Sequence, residues 1–170
     1  MDLSCDFKSD IFSFSKIREY FDDLYGYART QTTCRKVAVG AMFLLRDEIR
    51  IVECNRNDDE SKQCTNLGEC YKYKVTGIYE SNEKTRPFCS AVHSEIRLIN
   101  QLKKFSNFKP EDGILFVTRY PCVNCAKEIA KFGIKTVYYC GRQRISKEVE
   151  SIFESNGINW KWYPQFDYEF

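Results

Sequence analysis

The chain has 170 residues, 43% of them hydrophobic, enough to fill the core of one domain of ordinary size. Its 26 basic and 24 acidic side chains leave a formal charge of +2, which argues against a polynucleotide-binding surface and leaves small anionic ligands open. No basic stretch followed by an apolar run opens the sequence at Met1-Asp2-Leu3-Ser4, and no apolar segment is long enough to span a bilayer. A soluble, cytoplasmic protein without a membrane partner is therefore expected. Nine cysteines, an odd number, argue against a closed disulfide framework and, in a reducing compartment, point to metal.

Along the chain, Ile17, Phe21, Leu24 and Ala28 recur at helical spacing and predict an amphipathic helix over 15–29. The β-branched and apolar run 37–45, the turn Arg46-Asp47 and then Ile49-Arg50-Ile51-Val52 read as a hairpin. Residues 55–87 are polar, poor in aliphatics and broken by Gly68, Gly77 and Pro87, which predicts a long loop that is functional or pinned. A helix over 92–104 is expected to bury Ile96, Ile99 and Leu102, followed by a strand over 113–119 and a helix over 121–132 with Pro121 at its start and Gly133 past its end. A strand over 136–140, a helix over 146–156 closed by Gly157 and a strand over 159–163 complete the pattern. Strands separated by helices imply parallel neighbours in a sheet covered on both faces. The tail 165–170 alternates aromatic and polar residues and is expected to dock on the domain or on a neighbouring subunit.

The chemistry is carried by His93-Ser94-Glu95 and Pro121-Cys122-Val123-Asn124-Cys125. One nitrogen and two sulfur ligands leave the fourth tetrahedral position open to water, the arrangement of a catalytic zinc. Both groups fall at predicted helix N-termini, where unpaired N–H groups and the macrodipole favour thiolate over thiol. Glu95 is not needed as a ligand and is available to move protons. The competing reading makes Cys122 and Cys125 half of a closed zinc knuckle and Glu95 a surface glutamate. A Cys-x-x-Cys alone leaves the two even, and the added His-x-Glu and proline favour catalysis.

His-x-Glu followed by Pro-Cys-x-x-Cys is the signature of zinc deaminases that act on nucleobases, and on these residues the chain resembles the cytidine/deoxycytidylate deaminase superfamily. The resemblance implies a single deaminase domain over 1–170, of α/β class, with a three-layer α/β/α cytidine-deaminase-like fold and a five-stranded mixed sheet. It is most similar in wording to the deoxycytidylate deaminases, through Thr33-Cys34-Arg35-Lys36-Val37-Ala38-Val39-Gly40-Ala41 and Leu115-Phe116-Val117-Thr118-Arg119-Tyr120-Pro121-Cys122. That likeness implies hydrolytic deamination of dCMP to dUMP, a base pocket lined by Val39, Gly40 and Ala41, substrate contacts also from Ser94 and Tyr120, and symmetric homo-oligomers, often hexamers. Cys64-Thr65-Asn66-Leu67-Gly68-Glu69-Cys70 and Phe88-Cys89 resemble a cysteine-bearing insert, here at about 55–90, found in bacterial members. It implies a second, closed zinc site made by Cys34, Cys64, Cys70 and Cys89, against the alternative of four unrelated thiols. Cys5, Cys54 and Cys140 are left as free thiols.

Two positions depart from the family pattern. Where members carry Gly-Tyr-Asn-Gly after the second strand, this chain has Glu53-Cys54-Asn55-Arg56. Asn55 is retained and, by resemblance, contacts the sugar, while the missing glycines predict little response to dCTP or dTTP. Arg97 stands four residues after His93, where members have asparagine. It either faces the substrate pocket and holds a phosphate or another anion, or is a solvated arginine or one half of an intramolecular ion pair. Alternatives to dCMP are a modified or differently phosphorylated nucleotide, a polynucleotide base, which the balanced charge disfavours, or a catalytically idle nucleotide-binding subunit, which the intact Glu95 disfavours.

Overall fold

A computed structural model of the chain describes residues 12–45, 49–80 and 84–168. Helix α1 spans Phe14–Gln31 and is capped by Ser13, whose Oγ accepts from the Lys16 backbone N–H at 3.3 Å. The hairpin strands are β1, Gly40–Leu45, and β2, Ile49–Cys54. Then come the short helices α2, Cys64–Leu67, and α3, Tyr71–Thr76, and helix α4, Ser94–Leu102. The remainder alternates: β3, Gly113–Val117; α5, Val123–Phe132; β4, Thr136–Cys140; α6, Lys147–Ser155; β5, Asn159–Tyr163. The turn at Arg46-Asp47, Cys5 and the last two residues of the tail lie outside the described residues.

The five strands form one mixed sheet in the order β2-β1-β3-β4-β5. The central-left strand β1 is antiparallel to both neighbours, with Ala41 opposite Glu53 and Val117, whereas β3, β4 and β5 run parallel. Side chains alternate across each strand, so one core forms on each face. Met42, Leu44, Ile114, Phe116, Tyr138 and Cys140 meet Ile17, Tyr20, Phe21 and Leu24 of α1. Ala41, Phe43, Leu115, Val117, Val137 and Tyr139 meet α4, α5 and α6 through Leu98, Ile129 and Phe153. All five residues of β3 are buried, as expected of a strand covered on both faces. This is the α/β fold with a five-stranded mixed sheet and helices on both sides that the resemblance implied.

Several expected boundaries shift for identifiable reasons. The first strand begins at Gly40 and not at 37, because the Asn55 side chain takes the polar groups of the preceding residues: its Nδ2 donates to Val37 O at 2.9 Å and its Oδ1 accepts from Val39 N at 2.8 Å. The stretch read as loop contains α2 and α3, closed by Gly68 and Gly77, and 3-10 turns at Glu60–Lys62 and Arg86–Phe88. Helix α4 buries Leu98, Ile99 and Leu102, while Ile96 is half-buried, because Ser94 and Glu95 also face inward and rotate the helix toward them. Gly133, at φ 99°, closes α5 in a conformation that side chains resist.

The tail docks on its own domain. Phe166 is buried against Phe21 and Tyr163, Gly141 N donates to Phe166 O at 3.0 Å, and Tyr168 stacks on Tyr25 while its hydroxyl donates to Asp22 at 2.6 Å. No described helix is long and apolar enough to cross a membrane.

Candidate active site

Two helix starts meet at the C-terminal end of the parallel strands. His93 is the N-cap of α4 and Cys122 the N-cap of α5, both with extended backbone, and Cys125 lies in the first turn of α5. Proline at 121 keeps that chain extended until the helix begins, and the polar groups unpaired at each helix start face the junction. His93 Nδ1 is 3.6 Å from Cys122 Sγ and 3.4 Å from Cys125 Sγ, and the three ligand atoms all lie within 4.8 Å of one another. Tetrahedral zinc with bonds of about 2.0–2.3 Å sets nitrogen and sulfur about 3.6 Å apart, so the donor set and its spacing both fit the ion. The three differ in access: His93 is exposed, Cys122 half-buried and Cys125 buried.

The two thiols are pushed in opposite directions. Hydrogen bonds from Cys125 and then from His93 hold the Cys122 thiol down to about 3, while Cys125 is pushed up by its bond to Cys122 and by burial. A cation bound by both sulfurs would favour the thiolate form of each. Next to them Glu95 is only 3% exposed, and burial raises its pKa above the ordinary carboxylate value. Ser94, fully buried, donates its hydroxyl to Glu95 Oε2 at 3.0 Å and fixes the orientation of the carboxyl group.

These groups line a cavity of about 250 Å³ whose walls include Val37, Val39, Asn55, Ala91, Arg119 and Tyr120, with Cys34 and Cys89 at its side. His93, Ser94, Glu95, Cys122, Asn55 and Tyr120 are thus brought together. Cys125 adjoins them through His93 and contacts a second hollow behind the helix starts, with Pro87 and Ile96.

Two expected contacts fall elsewhere. Ala41 is buried in the core between the sheet and α4, so the apolar wall is built by Val37 and Val39. Arg97 does not line the cavity. Its Nε donates to Glu53 at 3.1 Å and its Nη1 to Asp58 at 2.8 Å, which makes it the intramolecular ion pair. Asn55 is on the wall, yet its amide is engaged with Val37, Val39 and Thr32, so it holds the wall's shape.

Among the described residues, His93, Cys122 and Cys125 are the group with metal-binding spacing; Cys34, Cys64, Cys70 and Cys89 do not share it. Cys64 and Cys70 are buried, Cys34 half-buried and Cys89 exposed. The Cys64 thiol is pushed up by burial first and also by the nearness of Cys34 and Cys70. Cys54 and Cys140 are buried free thiols outside the group with metal-binding spacing, and burial pushes Cys54 up to about 11. Sequence reasoning missed Arg119, exposed beside Tyr120 on the cavity rim; its place directly before Tyr120-Pro121-Cys122 was the available signal.

Residues 15–141 match the family described as the cytidine and deoxycytidylate deaminase zinc-binding region. Similar proteins include the ComE operon protein 2 of Bacillus subtilis, 40% identical over 68 residues, which cover 39% of this chain and 35% of that protein. A deoxycytidylate deaminase of Schizosaccharomyces pombe is 22% identical over 160 residues, 92% of this chain and 48% of that one. The chain spans less than half the length of these two relatives. Its fold is shared with the crystal structure of dCMP deaminase from the cyanophage S-TIM5 in complex with dCMP and dUMP, at a TM-score of 0.62 and 19% identity, over 89% of this chain and 99% of that one. With the metal-ligand trio, the buried glutamate and three-quarters of the sequence inside the matched region, the chain belongs to the cytidine and deoxycytidylate deaminase family.

Proposed function

We propose that this chain removes the exocyclic amino group of a deoxycytidine nucleotide by hydrolysis, with dCMP as substrate and dUMP and ammonia as products. The observation that carries the reading is the convergence of His93, Cys122 and the buried Glu95 on the wall of one cavity, with Cys125 completing the ligand trio. Support for this substrate comes from the resemblance around Val39-Gly40 and Tyr120-Pro121-Cys122 and from the deoxycytidylate deaminase that aligns over 92% of the chain.

His93, Cys122 and Cys125 would hold zinc, which when bound would supply the Lewis acidity that makes water a nucleophile near neutral pH. The chain's own residues do the rest. Val37, Val39 and Tyr120 flank the base, and Asn55 keeps residues 37–39 in place. The Glu95 carboxylate accepts one proton from the attacking water and passes it to the ring nitrogen; it then takes the proton of the new hydroxyl on the ring carbon and gives it to the departing amine as the carbonyl forms and the C–N bond breaks. Its raised pKa suits both directions of transfer, and Ser94 keeps it aimed. Burial excludes bulk water from this exchange.

A second metal on Cys34, Cys64, Cys70 and Cys89 belongs to the proposal. It is supported by the nearness of Cys34 and Cys70 to Cys64 and by Cys34 and Cys89 bordering one cavity. The free thiols suit a reducing, cytoplasmic setting. Self-association is proposed as well, with exposed Ile78, Tyr79, Phe88 and Val92 as apolar surface for it, and light scattering at micromolar concentration tests it.

The zinc-loaded protein should be incubated with dCMP, CMP, dCTP, cytidine, cytosine, AMP and single-stranded DNA, and the products identified by mass. Conversion of dCMP ahead of the others is expected. Conversion of none, or of AMP or DNA alone, overturns the proposed substrate.

A further inference from the structure

A second cavity, of about 400 Å³, lies against the catalytic one, and the two share Arg119 and Tyr120 as a common ridge. Its floor is Thr118 and Gly141, at the ends of β3 and β4, and its far wall is the docked tail. Besides tyrosines, the polar groups lining it are Arg119, Arg142, Gln143, Thr118 and Asp167. Asp167 is spent on Arg142, with which it forms an ion pair, so among the described residues lining the cavity no carboxylate is left for Arg119. Arg119 has no hydrogen-bond or ion-pair partner among the described residues and only lies over the Tyr120 ring, 5.4 Å from its centre. The Thr118 hydroxyl accepts from Gly40 N at 2.8 Å and keeps its own proton to give. Unpaired donors around an excess positive charge make a receptor for an anion.

We propose that this second cavity receives the phosphate of the substrate and that Arg119, on the ridge, is the residue that distinguishes a nucleoside monophosphate from the free nucleoside. A ligand whose base enters the cavity with Glu95 and whose anionic end crosses the ridge has the form of a nucleotide. Arg119 reaches both ends of that path, and its planar guanidinium pairs with two phosphate oxygens at once. Arg97, on α4, is held by Glu53 and Asp58 and takes no part. The inference rests on the deaminase reading above, and the measurements are chosen to separate the two.

Titration calorimetry on the zinc-loaded protein should be run with dUMP, with deoxyuridine and with inorganic phosphate, for the wild type, Arg119→Ala and Arg119→Lys. The wild type is expected to bind dUMP at least about tenfold more tightly than deoxyuridine, the effect of one charged hydrogen-bonding pair. That ratio should collapse toward unity in Arg119→Ala and be partly restored in Arg119→Lys. The ratio of kcat/KM for dCMP over deoxycytidine should fall in parallel. Arg119 is exposed and outside every helix and strand, so the variants should keep the wild-type Tm. Equal affinity for dUMP and deoxyuridine in the wild type, or a ratio unchanged by Arg119→Ala, overturns the inference while leaving deamination standing. If neither dCMP nor deoxycytidine is converted, the deaminase reading falls. The inference is then decided by inorganic phosphate, whose binding must be present in the wild type and lost in Arg119→Ala.

Discussion

The roles proposed for Glu95 and for the three metal-binding side chains are separable by measurement. Glu95→Ala leaves His93, Cys122 and Cys125 untouched, so metal analysis should find the catalytic zinc retained while kcat falls by about 10³-fold or more, since two proton transfers lose their carrier. Retained activity would remove Glu95 from its role, and lost zinc would make it a ligand. Asp58 provides a test of sign with pH. The hydrogen bond from Arg97 holds its carboxyl group below the usual carboxylate range. A carboxylate depressed in the folded state adds stability above its ordinary, unfolded value of about 3.9 and loses it as the pH falls through the depressed value. Its side chain is 73% exposed, so the contribution stays below about 1 kcal/mol. Denaturant titrations should show Asp58→Asn slightly less stable than wild type at pH 7 and the two converging as the pH falls through the depressed value.

Between elements, the site depends on a chain of braces. Arg97 ties α4 to Glu53 at the end of β2 and to Asp58, while Arg56 N donates to Val92 O at 3.2 Å and Val92 N returns to Arg56 O at 2.9 Å, one residue before His93. From the same loop Asn55 holds the wall at Val37 and Val39. Arg97→Ala leaves Glu53 nearly buried without its partner and should cost about 2–3 kcal/mol, seen as a lower denaturation midpoint, with KM raised more than kcat is lowered. A methyl group at Gly40 would sit 2.7 Å from Leu24 Cδ1 and 2.9 Å from the Leu24 carbonyl oxygen, so Gly40→Ala should push α1 off β1. About 2 kcal/mol of lost stability is expected, a fall in Tm of roughly 4–8 °C by calorimetry, without loss of zinc. These braces also mark what the sequence did and did not disclose. The spacings of His93 to Glu95 and of Cys122 to Cys125 were legible because each pair lies on a single helix start. Strands β4 and β5 were legible to the residue because turn-forming neighbours bound them. Arg97 was ambiguous, since helical periodicity places it on the His93 side of α4 but does not see Glu53 arriving from β2. Val39 and Ala41 look equivalent in an apolar run, and only the Asn55 side chain decides that the first leaves the sheet for the cavity. The second cavity draws on Tyr25, Thr118, Gln143 and Tyr168, which no local pattern joins.

For the whole molecule, the number of metals is the open quantity with the clearest readout. Cys64→Ser should leave the catalytic zinc in place, lower the zinc content from two per chain to one and lower Tm, because a closed thiolate site contributes on the order of 10 kcal/mol to the loops it joins. One zinc in the wild type would reduce the insert cysteines to ordinary thiols. The strand order carries a different consequence, for how the chain reaches this state. β1 pairs with β2 across a hairpin but with β3 only after the long stretch between them has been drawn into a loop, bringing Ala41 opposite Val117. A hairpin closes in about 1–10 μs, whereas pairing across such a separation is slow. Each doubling of loop length adds only about 0.6 kcal/mol, so the delay comes from the search and not from the stability of the closed loop. Until β3 arrives, β1 offers an apolar strand with one unpaired edge, which a second unfinished chain can occupy. Refolding yield should therefore fall steeply with protein concentration, with the loss set during the interval before the sheet gains its third strand.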